Sequence, residues 1–359
     1  MAKSGEHGGN ILQMATRYGY SPSQIIDFSA NINPLGMPSK LKSALNENLQ
    51  LLEQYPDIEY SELYHSLSLH TGLDARYILA GNGATELIFR WMEYYRPQHI
   101  LIVDPTFAEY RRAASRFNAK VTSYIVRAED EYKLDDKILT ILEEENIDAC
   151  MLCSPNNPTG LCVDDALLQD IAKVCSRKGI QLFVDESFLD FTQRESALQS
   201  RLLALPNVCL LRSLTKFYAI PGLRLGYLIT GNSAFCEHMK TSAEPWTINA
   251  LAALAGQIIF ADKAYAQQTY QWLKEQSQWL FNALSKMPTL AVLRPAANFV
   301  FFAYRGKLNL QHEMMKQGIL IRSCENYVGL NEQHYRVAIR SEGENQRLVE
   351  ALTEVLINE

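Results

Sequence analysis

Long apolar runs and an excess of basic residues are both missing from this sequence of 359 residues. No run approaches the roughly 18 apolar residues of a membrane-spanning helix. The opening residues MAKSGEHGGN also lack the apolar stretch of a secretory signal. Asp and Glu number 40 against 34 Lys and Arg, a net charge of -6, so no basic field is available for a polyanion. We therefore expect a cytoplasmic protein that binds neither a membrane nor nucleic acid.

Paired cysteine motifs are also scarce. Among the seven cysteines, Cys150 and Cys153 form a C-x-x-C that has no second pair and lies in the apolar run ACMLC. This context favours a buried strand over a zinc or redox site. The cysteines of such a chain are most simply reduced thiols, and we predict no metal site.

The apolar residues fall into short runs that alternate with helical patterns. The runs that resemble strands occupy residues 100–103, 149–153, 180–184, 208–211 and 227–230. This alternation predicts an α/β domain whose sheet is mostly parallel and covered by helices on both faces. A long helical pattern over 249–286 then leads to a smaller α+β unit, with strands predicted at 291–304, 319–322 and 335–340.

The length predicts about two domains. We assign residues 46–262 to a large domain and residues 263–359 to a small α+β domain. Residues 1–45 form an N-terminal segment that we expect to join the small domain. This segment is rich in Gly, Asn and Pro, which predicts irregular backbone that can lie across a cleft.

Polar residues follow four consecutive apolar runs. Asp104, the SPNNPTG turn with Asn157, Asp185, and the Ser213 to Lys216 segment each stand at the end of a predicted strand. Ligands of parallel sheets bind beyond the carboxyl ends of the strands. The four positions therefore predict one site.

The segment SLTKFYAIPGLRLGY places Lys216 three residues after Ser213 and eight before Arg224. An amine, a hydroxyl and a guanidinium suit a carbonyl cofactor that carries a phosphate. Two other interpretations are open for this segment alone. Lys216 could be an ordinary surface lysine, or the Ser213 to Lys216 spacing could belong to a serine acyl enzyme, although the companion S-D-N and K-T-G triplets are absent.

The complete set of residues fits pyridoxal 5'-phosphate (PLP). Lys216 would bind the aldehyde, Asp185 would hold the pyridine nitrogen protonated, Asn157 would donate to the phenolic oxygen, and Phe107 would cover the ring. The residues expected to bind the phosphate are Gly83, Ala84, Thr85, Ser213 and Arg224. Taken singly, Asp185 could be a helix cap, Asn157 a turn residue and Phe107 a core residue.

The stretches AGNGATE, PTFAEY, SPNNPTG, VDES, SLTKFYAIPGLRLGY and RVAIR resemble those of the aminotransferase family of fold type I PLP enzymes. The resemblance covers nearly the whole chain and implies a homodimer with the active site at the subunit interface. It implies that Tyr55 reaches the cofactor phosphate of the neighbouring subunit and that Arg322 and Arg336 hold substrate anions. It further implies that His7 and Asn31 belong to an N-terminal cover over the substrate.

Within this family, HGGNI, DFSANINPLGMP, PW-x-x-NALAALAG and IRSCENY-x-GL are similar to the threonine-phosphate decarboxylases of cobalamin biosynthesis. The resemblance implies decarboxylation of L-threonine O-3-phosphate to (R)-1-amino-2-propanol O-2-phosphate and CO2. The alternative is an aminotransferase of the histidinol-phosphate type. Many aminotransferases have a tyrosine three residues after the aspartate, where this chain has Phe188, which disfavours efficient transamination. A cofactor-binding regulator on the same fold is a further alternative.

Overall fold

The computed structural model describes residues 8–357. The strands, in chain order, are β1 (Ile26–Asp27), β2 (Ile78–Gly81), β3 (His99–Asp104), β4 (Lys120–Ile125), β5 (Ala149–Cys153), β6 (Gln181–Asp185), β7 (Val208–Ser213), β8 (Gly226–Thr230), β9 (Leu290–Val292), β10 (Phe299–Tyr304), β11 (Ile319–Leu320), β12 (Arg322–Ser323) and β13 (His334–Ala338).

The α-helices, in the same order, are α1 (Ile11–Tyr18), α2 (Ser39–Glu47), α3 (Ser61–Thr71), α4 (Ala84–Tyr95), α5 (Ala108–Arg116), α6 (Lys137–Glu144), α7 (Asp165–Lys178), α8 (Leu214–Phe217), α9 (Ser233–Thr241), α10 (Ala250–Ile258), α11 (Lys263–Ser285), α12 (Leu310–Lys316) and α13 (Glu342–Ile357). None of the helices described here is both long and apolar enough to cross a membrane.

A seven-stranded sheet in the order β2-β8-β7-β6-β5-β3-β4 forms the centre of the protein. The neighbours from β7 to β4 pair in parallel, and β8 runs antiparallel to both β7 and β2. All residues of β5, including Cys150 and Cys153, are buried, as expected for a strand covered on both faces. The predicted mostly parallel sheet and the predicted buried strand are both confirmed.

Alternate residues of the central strands enter two separate hydrophobic cores. Ile100 and Ile102 of β3 pack in one cluster with buried residues of α4 and α5. Leu101 and Val103 of the same strand pack in the other cluster, which includes residues of α3, α7 and α10. Because side chains alternate across a strand, helices cover both faces, and the carboxyl ends of the strands are left for the site.

A second, antiparallel sheet in the order β12-β13-β10-β9 lies later in the chain. The long helical pattern predicted over 249–286 is two helices, since Asp262 accepts a hydrogen bond from the Tyr265 backbone N–H at 3.2 Å and starts α11. The N-terminal β1 pairs in parallel with β11. The assignment of the N-terminal segment to the small domain and the proposed boundaries at residues 45 and 262 stay predictions.

Candidate active site

Lys216 lies in α8, immediately beyond the carboxyl end of β7. The Lys216 side chain is partly buried, and its Nζ donates a hydrogen bond to Ser213 Oγ at 2.9 Å. The Asn33 backbone N–H donates to the Lys216 carbonyl at 3.1 Å. The lysine is therefore held between the central sheet and the N-terminal segment.

The surroundings of Lys216 favour its neutral amine. Burial lowers the pKa of Lys216, and the charge of Arg224 acts in the same direction, whereas Asp185 and Cys153 act to raise it. A neutral amine is the form that adds to an aldehyde. The same contributions show that Asp185 and Arg224 lie near enough to act on the amine.

Asp185 ends β6, the strand next to β7, and is 4% exposed. Its Oδ2 accepts a hydrogen bond from the Tyr110 hydroxyl at 2.6 Å, and its Oδ1 accepts from the Ser187 backbone N–H at 2.8 Å. The carboxylate is thus oriented by one donor on each oxygen. A carboxylate has about four acceptor positions, so both oxygens can accept a further donor.

Asn157 connects the turn after β5 to the second sheet. Its Oδ1 accepts hydrogen bonds from the Arg336 guanidinium and from the Tyr327 hydroxyl, the latter at 3.3 Å. With Oδ1 occupied by these two donors, the amide NH2 faces away from them and is available to donate. This orientation suits the role expected for Asn157 at a phenolic oxygen.

Gly83 and Arg224 meet at the N-terminus of α4. Gly83 has a φ of +82°, and a Cβ there would lie 2.5 Å from Arg224 Nη2, so a side chain at this position would strain the backbone and displace the guanidinium. The Gly83 N–H donates to the Gly81 carbonyl at 2.8 Å rather than facing outward as expected. Ala84 and Thr85 begin the helix, and their N–H groups precede the first intrahelical hydrogen bonds. The expected anion cradle therefore consists of these two N–H groups and the Arg224 guanidinium, which packs against Gly83.

Two aromatic rings lie near Asp185 and Lys216, Phe107 through its contact with Tyr110 and Phe188 beside the amine. Phe107 is partly buried at the start of α5, and its ring meets the Tyr110 ring edge to face at 5.8 Å. The Phe188 ring centre lies 5.2 Å from Lys216 Nζ and also packs edge to face on Phe299 at 5.0 Å. Phe188 presents an apolar face to the amine and adds no hydroxyl to this wall.

Arg322 and Arg336 are directly opposite each other on β12 and β13. Both are buried, with exposures of 8% and 5%. Burial lowers the pKa of Arg336, and the Arg322 charge contributes in the same direction. An anion placed here would relieve the repulsion between the two guanidinium groups.

Three buried polar atoms in this region have no hydrogen-bond partner in the described chain, namely Arg336 Nε, Asn31 Oδ1 and Asn298 Oδ1. Asn31 follows Ser29, whose carbonyl accepts from Arg336 Nη2, by two residues, and Asn298, just before β10, donates to the Asn31 carbonyl at 3.0 Å. Unsatisfied buried polar atoms are costly and rare. They mark a place where a polar ligand would complete the hydrogen bonding.

Tyr55, which is expected to reach the cofactor of a neighbouring subunit, lies at the surface. Tyr55 is 79% exposed and stacks on the Trp246 ring with a centroid distance of 4.3 Å. His7 lies outside the described residues. The roles expected for both therefore stay predictions.

The site geometry can now be compared with known protein families. The sequence model of aminotransferase class I and II matches residues 23–352, a range that includes both sheets and nearly all of the residues above. The chain belongs to the aminotransferase class I and II family.

Members of this family differ in how closely they resemble the chain. The threonine-phosphate decarboxylase of Salmonella typhimurium is 46% identical over 98% of this chain and 96% of its own length. The adenosylcobalamin biosynthesis bifunctional protein CobDQ of Leptospira interrogans is 30% identical over 98% of this chain, which spans 41% of that protein. The crystal structure of histidinol-phosphate aminotransferase from Clostridium acetobutylicum superposes with a TM-score of 0.87 at 29% identity, covering 92% of this chain and 99% of the other.

Sequence reasoning missed three residues that support the family site. Tyr110 bonds Asp185, Tyr327 bonds Asn157, and the Ser29 carbonyl accepts a hydrogen bond from Arg336 Nη2 at 2.6 Å. A signal existed for Tyr110, because it stands in the first turn of α5, three residues after Phe107 at the N-cap, where the two rings can meet. The partners of Tyr327 and Ser29 are 170 and 307 residues away in sequence, and no local pattern predicts such contacts.

Proposed function

We propose that this chain is a PLP-dependent decarboxylase that converts L-threonine O-3-phosphate to (R)-1-amino-2-propanol O-2-phosphate and CO2, in cobalamin biosynthesis. The observation that carries the choice of reaction is the 46% identity to a threonine-phosphate decarboxylase over nearly the full length of both chains. The cobalamin context is supported by the similarity to the CobDQ protein. The choice of cofactor also has independent support from the geometry of the site.

The residues present fit PLP. Lys216 offers a partly buried amine of lowered pKa, and Asp185 offers a buried carboxylate one strand away. The glycine at position 83 leaves the Arg224 guanidinium room at the start of α4, where helix N-terminal N–H groups favour a phosphate. An amine, an acceptor and an anion cradle thus stand at adjacent strand ends.

Bound PLP supplies an aldehyde for covalent attachment and a ring that takes up the electron pair released when a bond to the substrate α carbon breaks. Lys216 would provide the amine for this attachment, and its Nζ would be the group that carries a proton to or from the substrate α carbon. Asp185 would hold the pyridine nitrogen, Asn157 would donate to the phenolic oxygen, and Phe107 would cover the ring. The cofactor phosphate would be bound by Ala84, Thr85, Ser213 and Arg224.

Arg322 and Arg336 suit a substrate with two anionic groups. They lie side by side and buried, and hydrogen bonds to charged partners each contribute roughly 1.5 to 3 kcal/mol. Arg336 Nε is an unsatisfied donor for such an anion, whereas Asn31 Oδ1 is an acceptor that suits the ammonium group of an amino acid. A phosphorylated amino acid would use one arginine for its carboxylate and one for its phosphate, with His7 and Asn31 in the cover above it.

The apolar wall formed by Phe188 supports decarboxylation over transamination. Its ring faces the Lys216 amine at 5.2 Å and offers no hydroxyl to the cofactor, which leaves Asn157 as the donor to the phenolic oxygen. Histidinol-phosphate-type transamination remains the second candidate, because an enzyme of that name superposes at a TM-score of 0.87. The two candidates share the cofactor residues and differ in which bond of the substrate is held for cleavage.

We also propose that the protein is a cytoplasmic homodimer. All seven cysteines are free, the state that a reducing compartment maintains. A solvent-facing apolar strip supports the dimer, and Tyr55 in this strip would reach the partner's cofactor phosphate. Its members, each at least 41% exposed, are Leu49, Leu52, Tyr55, Ile58 and Trp246. Sedimentation of the purified protein as a monomer at micromolar concentration would contradict the dimer.

The deciding experiment combines the purified protein, PLP and L-threonine O-3-phosphate, with and without 2-oxoglutarate. We expect stoichiometric CO2 and aminopropanol phosphate, independent of the keto acid. A parallel reaction contains histidinol phosphate in place of L-threonine O-3-phosphate. Glutamate formed there from 2-oxoglutarate, with no CO2 formed from L-threonine O-3-phosphate, would support the aminotransferase instead. Binding of PLP without turnover of either substrate would favour a cofactor-binding regulator.

A further inference from the structure

Tyr110 lies behind two of the residues assigned to the cofactor. It is fully buried in α5. Its hydroxyl donates to Asp185 Oδ2 at 2.6 Å, and its ring meets the Phe107 ring at an interplanar angle of 82°. One side chain thus contacts both the carboxylate expected at the pyridine nitrogen and the ring expected to cover the cofactor.

The direction of this hydrogen bond is defined by the surroundings. Burial raises the pKa of Tyr110 well above its ordinary value, and the charge of Asp185 raises it further. The hydroxyl therefore keeps its proton and donates, while the carboxylate accepts. Hydrogen bonds to an ionised acceptor are roughly twice as strong as neutral ones.

The other oxygen of Asp185 is held separately. Ser187 belongs to the turn that follows β6, and its backbone N–H reaches Oδ1 at 2.8 Å. With the backbone on one oxygen and Tyr110 on the other, rotation of the carboxylate would break one of the two bonds. Of these two donors, only the tyrosine hydroxyl can be removed by a side-chain substitution.

We propose that Tyr110 is a positioning residue that orients and stabilises the Asp185 carboxylate for the pyridine nitrogen of the cofactor. The inference rests on the proposed PLP function, and it adds a residue that acts through Asp185 rather than by contact with the cofactor. The competing explanation is that Tyr110 only anchors α5 on the sheet. The two explanations differ in whether the effect of the Tyr110 hydroxyl on PLP affinity requires Asp185.

The test measures the PLP dissociation constant of the apoprotein for four proteins, namely wild type, Tyr110→Phe, Asp185→Ala and the double variant. Tyr110→Phe keeps the ring and its contact with Phe107 and removes only the hydroxyl. We expect it to weaken PLP binding about tenfold, which corresponds to about 1.4 kcal/mol, because the charge-assisted hydrogen bond that orients the Asp185 carboxylate is lost. In the Asp185→Ala background, removal of the hydroxyl should change the affinity less than about twofold.

Tyr124→Phe is the matched control. Tyr124 lies on the edge strand β4, and its hydroxyl also donates to an aspartate, Asp135. Its PLP affinity should equal that of wild type. Equal affinities of wild type and Tyr110→Phe, or the same loss in both Asp185 backgrounds, would overturn the inference. If removal of the hydroxyl only lowered the stability of the apoprotein, PLP affinity would fall in both backgrounds. The comparison therefore separates a structural effect from the proposed positioning of Asp185. Wild type that fails to bind PLP would instead contradict the proposed function.

Discussion

At the scale of single residues, the proposed chemistry depends on Lys216 being the amine that attaches the cofactor. Lys240 offers a matched comparison, because it is also partly buried, its pKa is also lowered by burial, and its Nζ donates to the Ala75 carbonyl at 2.8 Å. Burial of an amine is therefore not what distinguishes Lys216. Lys216 is distinguished by its neighbours, which are Ser213, Asp185 and Arg224.

We predict that Lys216→Ala abolishes covalent attachment of PLP, whereas Lys240→Ala leaves attachment unchanged. The physical reason is that only Lys216 combines a lowered pKa with the anion cradle at α4. Borohydride reduction followed by intact-protein mass spectrometry measures the attached cofactor directly. A cofactor mass retained by the Lys216 variant would refute the assignment.

Arg224 should control the pH at which the amine becomes reactive. Its positive charge lowers the pKa of Lys216, so Arg224→Gln should raise that pKa and keep the amine protonated to higher pH. With pyridoxal, which lacks the phosphate, the pH of half-maximal attachment should move upward. Arg201→Gln, at an exposed arginine outside the site, should not move it. An unchanged or lower midpoint for the Arg224 variant would contradict this reading of the electrostatics.

At the scale of elements, the N-terminal segment is docked through very close backbone packing. The Gly9 N–H donates to Ser29 Oγ at 2.8 Å, and a Cβ on Gly8 would lie 2.1 Å from the Ser29 carbonyl oxygen. That same oxygen accepts from Arg336. The first described residues are therefore coupled to a guanidinium that we assign to the substrate.

We predict that Gly8→Ala displaces this segment and raises the KM for L-threonine O-3-phosphate about fivefold, because a hydrogen bond contributes roughly 1 kcal/mol. Gly343→Ala is the control, since a Cβ there meets nothing within 4 Å. Steady-state kinetics and the rate of proteolytic cleavage near the N-terminus provide the two measurements. A Gly8 variant with unchanged KM and unchanged cleavage would show that the docking has no part in substrate binding.

Elements defined by a continuous apolar run were predictable, and partly exposed ones were not. The buried strand β5 coincides with its predicted range, whereas β4, with the sequence KVTSYI, is partly or fully exposed along its length and shows no such run. Lys216, Asp185 and Asn157 could be grouped because parallel strand ends meet at one edge. Tyr327 and Ser29 could not, since their positions depend on how the second sheet meets the first.

At the scale of the whole molecule, a buried ion pair lies directly behind the site. Arg212 Nε contacts Glu186 Oε2 at 2.8 Å, and both side chains are less than 10% exposed. Asp190 lies 3.6 Å from the same guanidinium. Because Arg212 precedes Ser213 and Glu186 follows Asp185, the pair joins the two strand ends that carry the site.

We predict that Arg212→Ala lowers the free energy of unfolding by roughly 3 to 5 kcal/mol, because it leaves the buried Glu186 carboxylate, and the partly buried Asp190 carboxylate beside it, without their cation. Arg177→Ala, which removes a pair with Glu143 whose side chains are 62% and 36% exposed, should cost about 1 kcal/mol or less. Urea titration of both apoproteins, followed by tryptophan fluorescence, gives the comparison. Equal losses for the two variants would contradict a structural role for the buried pair.

The hydrogen bond between Ser29 and Arg336 also has a consequence for the order in which the protein is made. Its partners are 307 residues apart in the chain. Strand β1 likewise pairs with β11, which is translated much later. During synthesis the N-terminal segment emerges first, but the surface on which it docks is translated near the end. The central sheet can assemble earlier from nearby strands, so we expect the N-terminal segment to dock last, after the strand ends that carry Lys216 and Asp185 have formed.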